Sequence, residues 1–180
     1  SGVLQINDTV HSDDRGFFSE IYNENELVNL GIKNNFIQDN MSYSKKRGTL
    51  RGLHFQINPY SQSKLLRVIG GKILDCFVDL RIGSKTYGKY NTIELDPSSG
   101  WIYIPKGFAH GFCTLEDNTS ILYKVDNYYS AKHDKGIVWN DPALNINWLI
   151  KDESLVISKK DRKLPKLEKL KEEDKFYYDK

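Results

Sequence analysis

Long apolar runs are missing from this 180-residue chain. No segment approaches the roughly 20 consecutive apolar residues of a bilayer-crossing helix, and no secretory signal pattern opens the chain. Ser1-Gly2 stands where an initiator methionine is usual and reads as an expression remnant. Cysteine is nearly absent as well. Cys76 and Cys113 lie in apolar stretches without metal-type spacing, which predicts two buried thiols in a reducing cytoplasm rather than a disulfide. Charge of one sign is also lacking. Nine basic and six acidic residues fall between Lys159 and Lys180, leaving 17 basic and 18 acidic in the rest. A near-neutral body with its basic excess in a tail lacks the electrostatic footprint of a nucleic-acid binder. The tail, charged from about residue 162, is expected to be a solvated segment in which Leu164, Leu167 and Leu170 form at most a short helical stripe.

What the chain does have is aromatic residues, 11 Tyr, 8 Phe and 3 Trp, which suit strands and a ligand cavity. Leu74, Cys76, Val78 and Leu80 alternate with Asp75, Phe77, Asp79 and Arg81, the period of a half-buried strand. Gly70-Gly71 before it is expected to turn a hairpin from residues 65–69. Further strands are predicted at 91–95, 101–104 and 120–126, separated by turn chemistry such as Asp96-Pro97-Ser98-Ser99-Gly100 and Pro105-Lys106-Gly107. Residues 24–30, closed by Gly31, are the best helix candidate. Many short strands with regular turns predict one all-β domain, a sandwich or barrel, over 1–180.

Four histidines can be weighed singly. His11 and His133 lie in polar, loop-like sequence. His54 sits among apolar residues in Arg51-Gly52-Leu53-His54-Phe55-Gln56, and His110 lies just past a strand in Pro105-Lys106-Gly107-Phe108-Ala109-His110. The latter run is similar to the second metal motif of the cupins, a jelly-roll superfamily. The first cupin motif needs His-x-His with a following Glu, where this chain has His54-Phe55-Gln56. The second needs an Asn where it has Thr114. Two imidazoles without a carboxylate make a poor metal site, so none is expected.

Eight runs make the resemblance specific. Among them are Asp14-Arg15-Gly16-Phe17-Phe18-Ser19-Glu20, Gly48-Thr49-Leu50-Arg51-Gly52-Leu53-His54-Phe55-Gln56 and Tyr123-Lys124-Val125-Asp126-Asn127-Tyr128-Tyr129. The others lie at 38–42, 64–68, 104–112, 139–142 and 158–161. In that order and spacing they resemble the dTDP-4-dehydrorhamnose 3,5-epimerase family from near residue 5 to about 165. The resemblance implies a cupin-like jelly roll that needs no cofactor or metal, forms a homodimer, and acts on a dTDP-4-keto-6-deoxyhexose in the cytoplasm.

By the same resemblance His54 is the base, Asp161 orients it, Tyr123 returns a proton to the opposite face, and Lys64 holds the keto oxygen. Arg15 and Arg51 resemble diphosphate ligands, suited by their forked guanidinium groups. Glu20, Gln38 and Asn40 resemble residues around the base and its sugar. By the resemblance, Phe18 and Tyr129 are expected to pack on flat surfaces there, and His110 resembles a site residue near the sugar or phosphate rather than a second base. Arg51 and His54 have opposite parity on a regular strand, so a bulge at Gly52 is required if both are to face one pocket. Rival expectations are an epimerase acting at carbon 3 alone or on another nucleotide sugar, a 3,4-ketoisomerase, and a non-catalytic sugar-binding jelly roll.

Overall fold

The structure, a computed structural model, describes residues 2–178. Its strands are β1 (Leu4–Ile6), β2 (Val10–Asp13), β3 (Gly16–Ser19), β4 (Gln38–Ser44), β5 (Thr49–Gln56), β6 (Lys64–Gly70), β7 (Ile73–Asp79) and β8 (Arg81–Ile82). They continue with β9 (Tyr90–Leu95), β10 (Trp101–Ile104), β11 (Phe108–Thr114), β12 (Thr119–Val125), β13 (Asp134–Gly136), β14 (Val156–Ile157) and β15 (Phe176–Tyr177). One sheet has the order β1-β10-β6-β12-β4. A second runs β13-β5-β11-β7-β9, with β14 added in parallel to β5. The two face each other as an all-β jelly-roll sandwich. Leu66, Val68, Ile102, Ile104 and Ile121 of the first sheet meet Ile73, Leu95 and Phe112 of the second.

Both outer faces are covered in part. Helix α1 (Glu24–Asn29), capped by the Asn23 side chain, presses Leu27 onto Leu65, Trp101 and Tyr103 behind the five-stranded sheet. Behind the other sheet, Trp139, Leu144, Trp148, Leu155 and Phe176 from the last 45 residues pack on Leu53, Phe55, Cys76 and Val78. This corrects three expectations. The β7 strand is buried on both faces rather than half-buried, because its polar face lies inside the sandwich and its apolar face lies under the C-terminal segment. The tail is not a solvated stripe. It forms short 3-10 turns (Asp161–Lys163, Leu167–Lys169, Glu172–Asp174), seats Leu167 and Leu170 against the core, and ends with β15 paired to β8. Gly70-Gly71 does not close a hairpin: β6 pairs with β10 and β12 while β7 pairs with β11 and β9, so the glycines carry the chain from one sheet to the other. Gly71 has φ +75°, and a Cβ there would meet Thr119 Oγ1 at 2.4 Å, so a close crossing needs glycine.

The predicted helix and the strands at 91–95, 101–104 and 120–126 are present within a residue or so. His11 lies on β2 rather than in a loop, and His110 lies inside β11. Both cysteines are buried free thiols, and burial pushes the Cys113 thiol up to about 12 and that of Cys76 higher still.

Candidate active site

The parity conflict on β5 is resolved by one extra residue. His110 of β11 pairs with His54, but Phe112, two positions on, pairs with Arg51, three positions back. Leu50, Leu53 and Phe55 therefore point to the outer core, whereas Arg51 and His54 face the sandwich interior. Gly52 is the bulge residue, with φ +115°. A Cβ there would stand 2.5 Å from Gly111 Cα and 2.7 Å from the His110 carbonyl, so no other residue fits.

His54 and Arg51 open onto a cavity of about 780 Å³ between the sheets. Lys64, Leu66 and Tyr123 enter it from the five-stranded sheet, and His110 and Phe112 from the other. Ser158, Lys160 and Asp161 close one side. These positions follow from register: Tyr123 lies opposite Leu66 and Asn40, and Val125 opposite Lys64, so all share the inner face.

Asp161, 4% exposed, accepts His54 Nε2–H at 2.8 Å through Oδ1 and the Gly52 amide at 3.3 Å through Oδ2. Burial pushes the Asp161 carboxyl up, but the His54 hydrogen bond and charge, Gly52 and Ser158 together bring it below the ordinary carboxylate range. An ionised carboxylate only accepts, so Nε2 must donate, and Nδ1 keeps the lone pair that takes a proton. His110 repeats the motif deeper in the sandwich, with Nε2 on Asp75 Oδ1 at 2.6 Å. Burial lowers the Lys64 ammonium to about 8 against the opposing fields of Asp134 and Asp75. Its Nζ donates to the His54 carbonyl at 3.5 Å. Burial also raises the Tyr123 hydroxyl above its ordinary value, partly offset by Arg51. The cavity thus presents a carboxylate-backed imidazole on one wall, a protonated phenol on the other, and an ammonium between.

The remaining candidates divide by position. Arg51 donates to the Tyr43 carbonyl at 3.2 Å at the mouth. Gln38 and Asn40 lie on the inner face of edge strand β4, joined by a 2.8 Å hydrogen bond. Tyr129 is exposed and does not line the cavity; its hydroxyl donates to Asp134 Oδ2 at 3.2 Å. Arg15, with a side chain 90% exposed, and Phe18 are on the β2–β3 hairpin, away from this cavity. Glu20 lines a separate cleft of about 180 Å³ beside Trp101. Sequence reasoning missed Asp75, Asp134 and Lys160. No local signal marked Asp75, because the alternation along 74–81 reads as a half-buried strand with its carboxylates towards solvent. Among the described residues, no group of three or more His, Cys, Asp or Glu side chains is placed to hold a metal ion.

Comparisons with known proteins identify the family. The family model described as dTDP-4-dehydrorhamnose 3,5-epimerase matches residues 1–169. A relative of that name from Sinorhizobium fredii is 46% identical over 160 residues, covering 86% of this chain and 80% of its own length. The Bacillus anthracis dTDP-4-dehydrorhamnose 3,5-epimerase, solved with TDP and pyrophosphate bound, is similar at 48% identity and a TM-score of 0.88, covering 91% of this chain and 93% of that one. The Legionella pneumophila enzyme in complex with dTDP-4-keto-L-rhamnose aligns at 35% identity with a TM-score of 0.93, covering 99% and 94%.

Proposed function

Because the chain belongs to the dTDP-4-dehydrorhamnose 3,5-epimerase family, we propose that it inverts carbons 3 and 5 of dTDP-4-dehydro-6-deoxy-D-glucose to give dTDP-4-dehydro-L-rhamnose. The ketone at carbon 4 acidifies the hydrogens on both neighbouring carbons, so the substrate carries its own electron sink. His54 Nδ1 removes one of these protons, and Asp161 stabilises the imidazolium that forms. Lys64 as ammonium stabilises the enolate oxygen, an electrostatic contribution that is often the largest in such reactions. Tyr123 then delivers a proton to the opposite face, and the sequence repeats at the second carbon after the ring changes conformation. The observation that carries the reading is the opposition of two proton-transfer groups, His54 on one sheet and Tyr123 on the other, across one cavity.

Arg51 at the mouth is assigned to the diphosphate, His110 to the sugar, and Gln38, Asn40 and Tyr129 to the nucleoside end. Arg15, Phe18 and Glu20 reach a nucleotide only if their segment is donated to a neighbouring copy, which favours a homodimer. The open edge strand β4, with Met41 70% exposed beside Tyr43, supports a partner there. Two free buried thiols suit a cytoplasmic location for this single domain.

The test is incubation with dTDP-4-keto-6-deoxyglucose in deuterated water, followed by NMR. Deuterium is expected at carbons 3 and 5, and exchange at one carbon alone would reduce the reading to a 3-epimerase. His54→Ala should abolish exchange while dTDP binding persists, and normal exchange in that variant overturns His54 as the base.

A further inference from the structure

Behind the wall that presents Lys64 and Tyr123, one buried carboxylate gathers several segments of the chain. Asp126 directly follows β12, and its side chain is 5% exposed. Its Oδ1 accepts the Ser63 amide at 2.7 Å. Its Oδ2 accepts Asn34 Nδ2 at 2.7 Å and pairs with Lys106 Nζ at 3.1 Å. The Tyr103 hydroxyl donates to Asn34 Oδ1 at 2.8 Å, so the Asn34 amide must turn its nitrogen to Asp126. Asn34 comes from the stretch between α1 and β4, Ser63 immediately precedes β6, and Lys106 lies in the turn between β10 and β11.

We infer that Asp126 is a positioning residue for Lys64, pinning the start of β6 to the end of β12. This role rests on the epimerase reading above. Lys64 is the first residue of its strand, and Ile104↔Lys64 and Val125↔Lys64 are the terminal pairs of both ladders that flank it. The next backbone contact outward is long, with the Asp126 amide 3.4 Å from the Ser63 carbonyl. The carboxylate bond to Ser63 is much shorter, so the side chain rather than the ladder closes the end of this pairing. Strand ends without such a closure fray, and displacements on the order of 1 Å in a catalytic constellation can slow a reaction by about a hundredfold.

The sign of the effect on Lys64 separates positioning from a simple field. Inside the cavity, Lys64 shares its space with His54 of β5, His110 of β11 and Tyr123 of β12, and feels Asp75 of β7 and Asp134 of β13. By parity Asp126 lies on the other face of the sheet, among Lys106, Tyr103 and Asn34, while Lys124 on that face is paired with Asp39. Removing a negative charge acts through space to lower an ammonium further. Loosening the strand end admits water, relieves the burial that lowers Lys64 to about 8, and raises it.

The experiment compares wild type with Asp126→Asn. That change keeps the shape but turns an amide donor towards either the Ser63 N–H or the Asn34 and Lys106 donors. Turnover is followed by deuterium incorporation. Lys64 is titrated by NMR of ¹³C-lysine-labelled protein, its signal identified by its loss in Lys64→Met. Asp126→Asn should lower kcat at pH 7 roughly five- to twentyfold with KM within about threefold. The Lys64 midpoint should move from about 8 towards 10.5. Combining Asp126→Asn with Asn34→Asp exchanges acceptor and donor within the network and should restore both readouts. If Asp126→Asn fails to fold, Asp126→Ser, which adds no amide donor, replaces it with the same expectations. Wild-type kcat in the folded variant overturns the inference, as does a lowered kcat with the Lys64 midpoint unchanged or lowered. A wild-type protein that exchanges no deuterium would instead overturn the epimerase reading, and the Lys64 titration would still decide this one.

Discussion

Lys64 should set the alkaline limit of activity, and removing it should make the protein more stable while making it nearly inactive. Burial between the sheets lowers its ammonium from 10.5 to about 8. On that value about nine-tenths of the groups are charged at pH 7 and about one-tenth at pH 9. Turnover should fall close to tenfold per pH unit above 8. The Tyr123 hydroxyl is pushed above its ordinary value of 10, so its own loss of a proton lies well outside that window. Lys64→Met, which keeps a flexible chain beside Leu66 and Ile104, should lower kcat by about 10²–10³, the usual consequence of losing an oxyanion stabiliser.

The stability sign follows from the same shift. The folded value lies below the unfolded one, so the charged lysine opposes folding fully at pH below 8. That penalty fades as pH rises from about 8 to 10.5. A displacement of that size corresponds to up to about 3 kcal/mol. Lys64→Met should therefore melt higher than wild type at pH 7, with the difference vanishing near pH 10.5. The assays are deuterium incorporation against pH and urea unfolding at pH 7 and 10.5. An activity profile flat through pH 9, or a Lys64→Met protein that is less stable at pH 7, would refute the reasoning.

Three further outcomes are expected. Tyr123→Phe should still exchange deuterium from the His54 side but lose inversion by about 10²-fold, read as solvent-labelled starting sugar. Gly52→Ala should destabilise by about 3–4 kcal/mol in urea unfolding, since its Cβ would overlap backbone of β11 at a φ that side chains rarely adopt. Asp79 is held near 2: burial raises it, but hydrogen bonds from Arg81, Thr86 and Ser84 outweigh that. Its depressed folded value stabilises the protein above about pH 4 by roughly 2 kcal/mol, and that contribution is lost as pH falls towards 2. Asp79→Asn should accordingly be less stable at pH 7, with the gap closing in acid by urea titration.

Local pattern carried the reading as far as single strands. The alternation along 74–81 is real, and so is the glycine that lets β5 bulge. What local pattern could not carry was pairing. Gly70-Gly71 has the composition of a hairpin turn, yet whether it joins neighbours or crosses between sheets depends on β10–β12, which lie far along the chain. The tail reads as solvated because its leucines are sparse and its charges dense. The face it covers, including Phe55 and Leu80, is apolar only because the tail exists to cover it. Asp161 shows the same limit at the site. In its own surroundings it is one charge among many, and its role arises from a histidine 107 residues earlier.

The distribution of the catalytic groups follows from the architecture. Inversion needs a proton removed on one side of a sugar ring and returned on the other, so donor and acceptor must face each other across the width of a ring. Two sheets of a sandwich stand about 10 Å apart, and here their inner faces carry His54 and His110 on one side and Tyr123 and Lys64 on the other. The register His110↔His54 groups the imidazoles, and Val125↔Lys64 with Tyr123↔Leu66 sets the ammonium beside the phenol. A regular β5 would have preserved His54 and lost Arg51 to the outer core. In the proposed reaction, the one-residue bulge at Gly52 lets a single strand supply both the base for the sugar and the cation for its diphosphate. Gly52→Ala should for that reason lose dTDP affinity and turnover together, even under conditions where the variant remains folded.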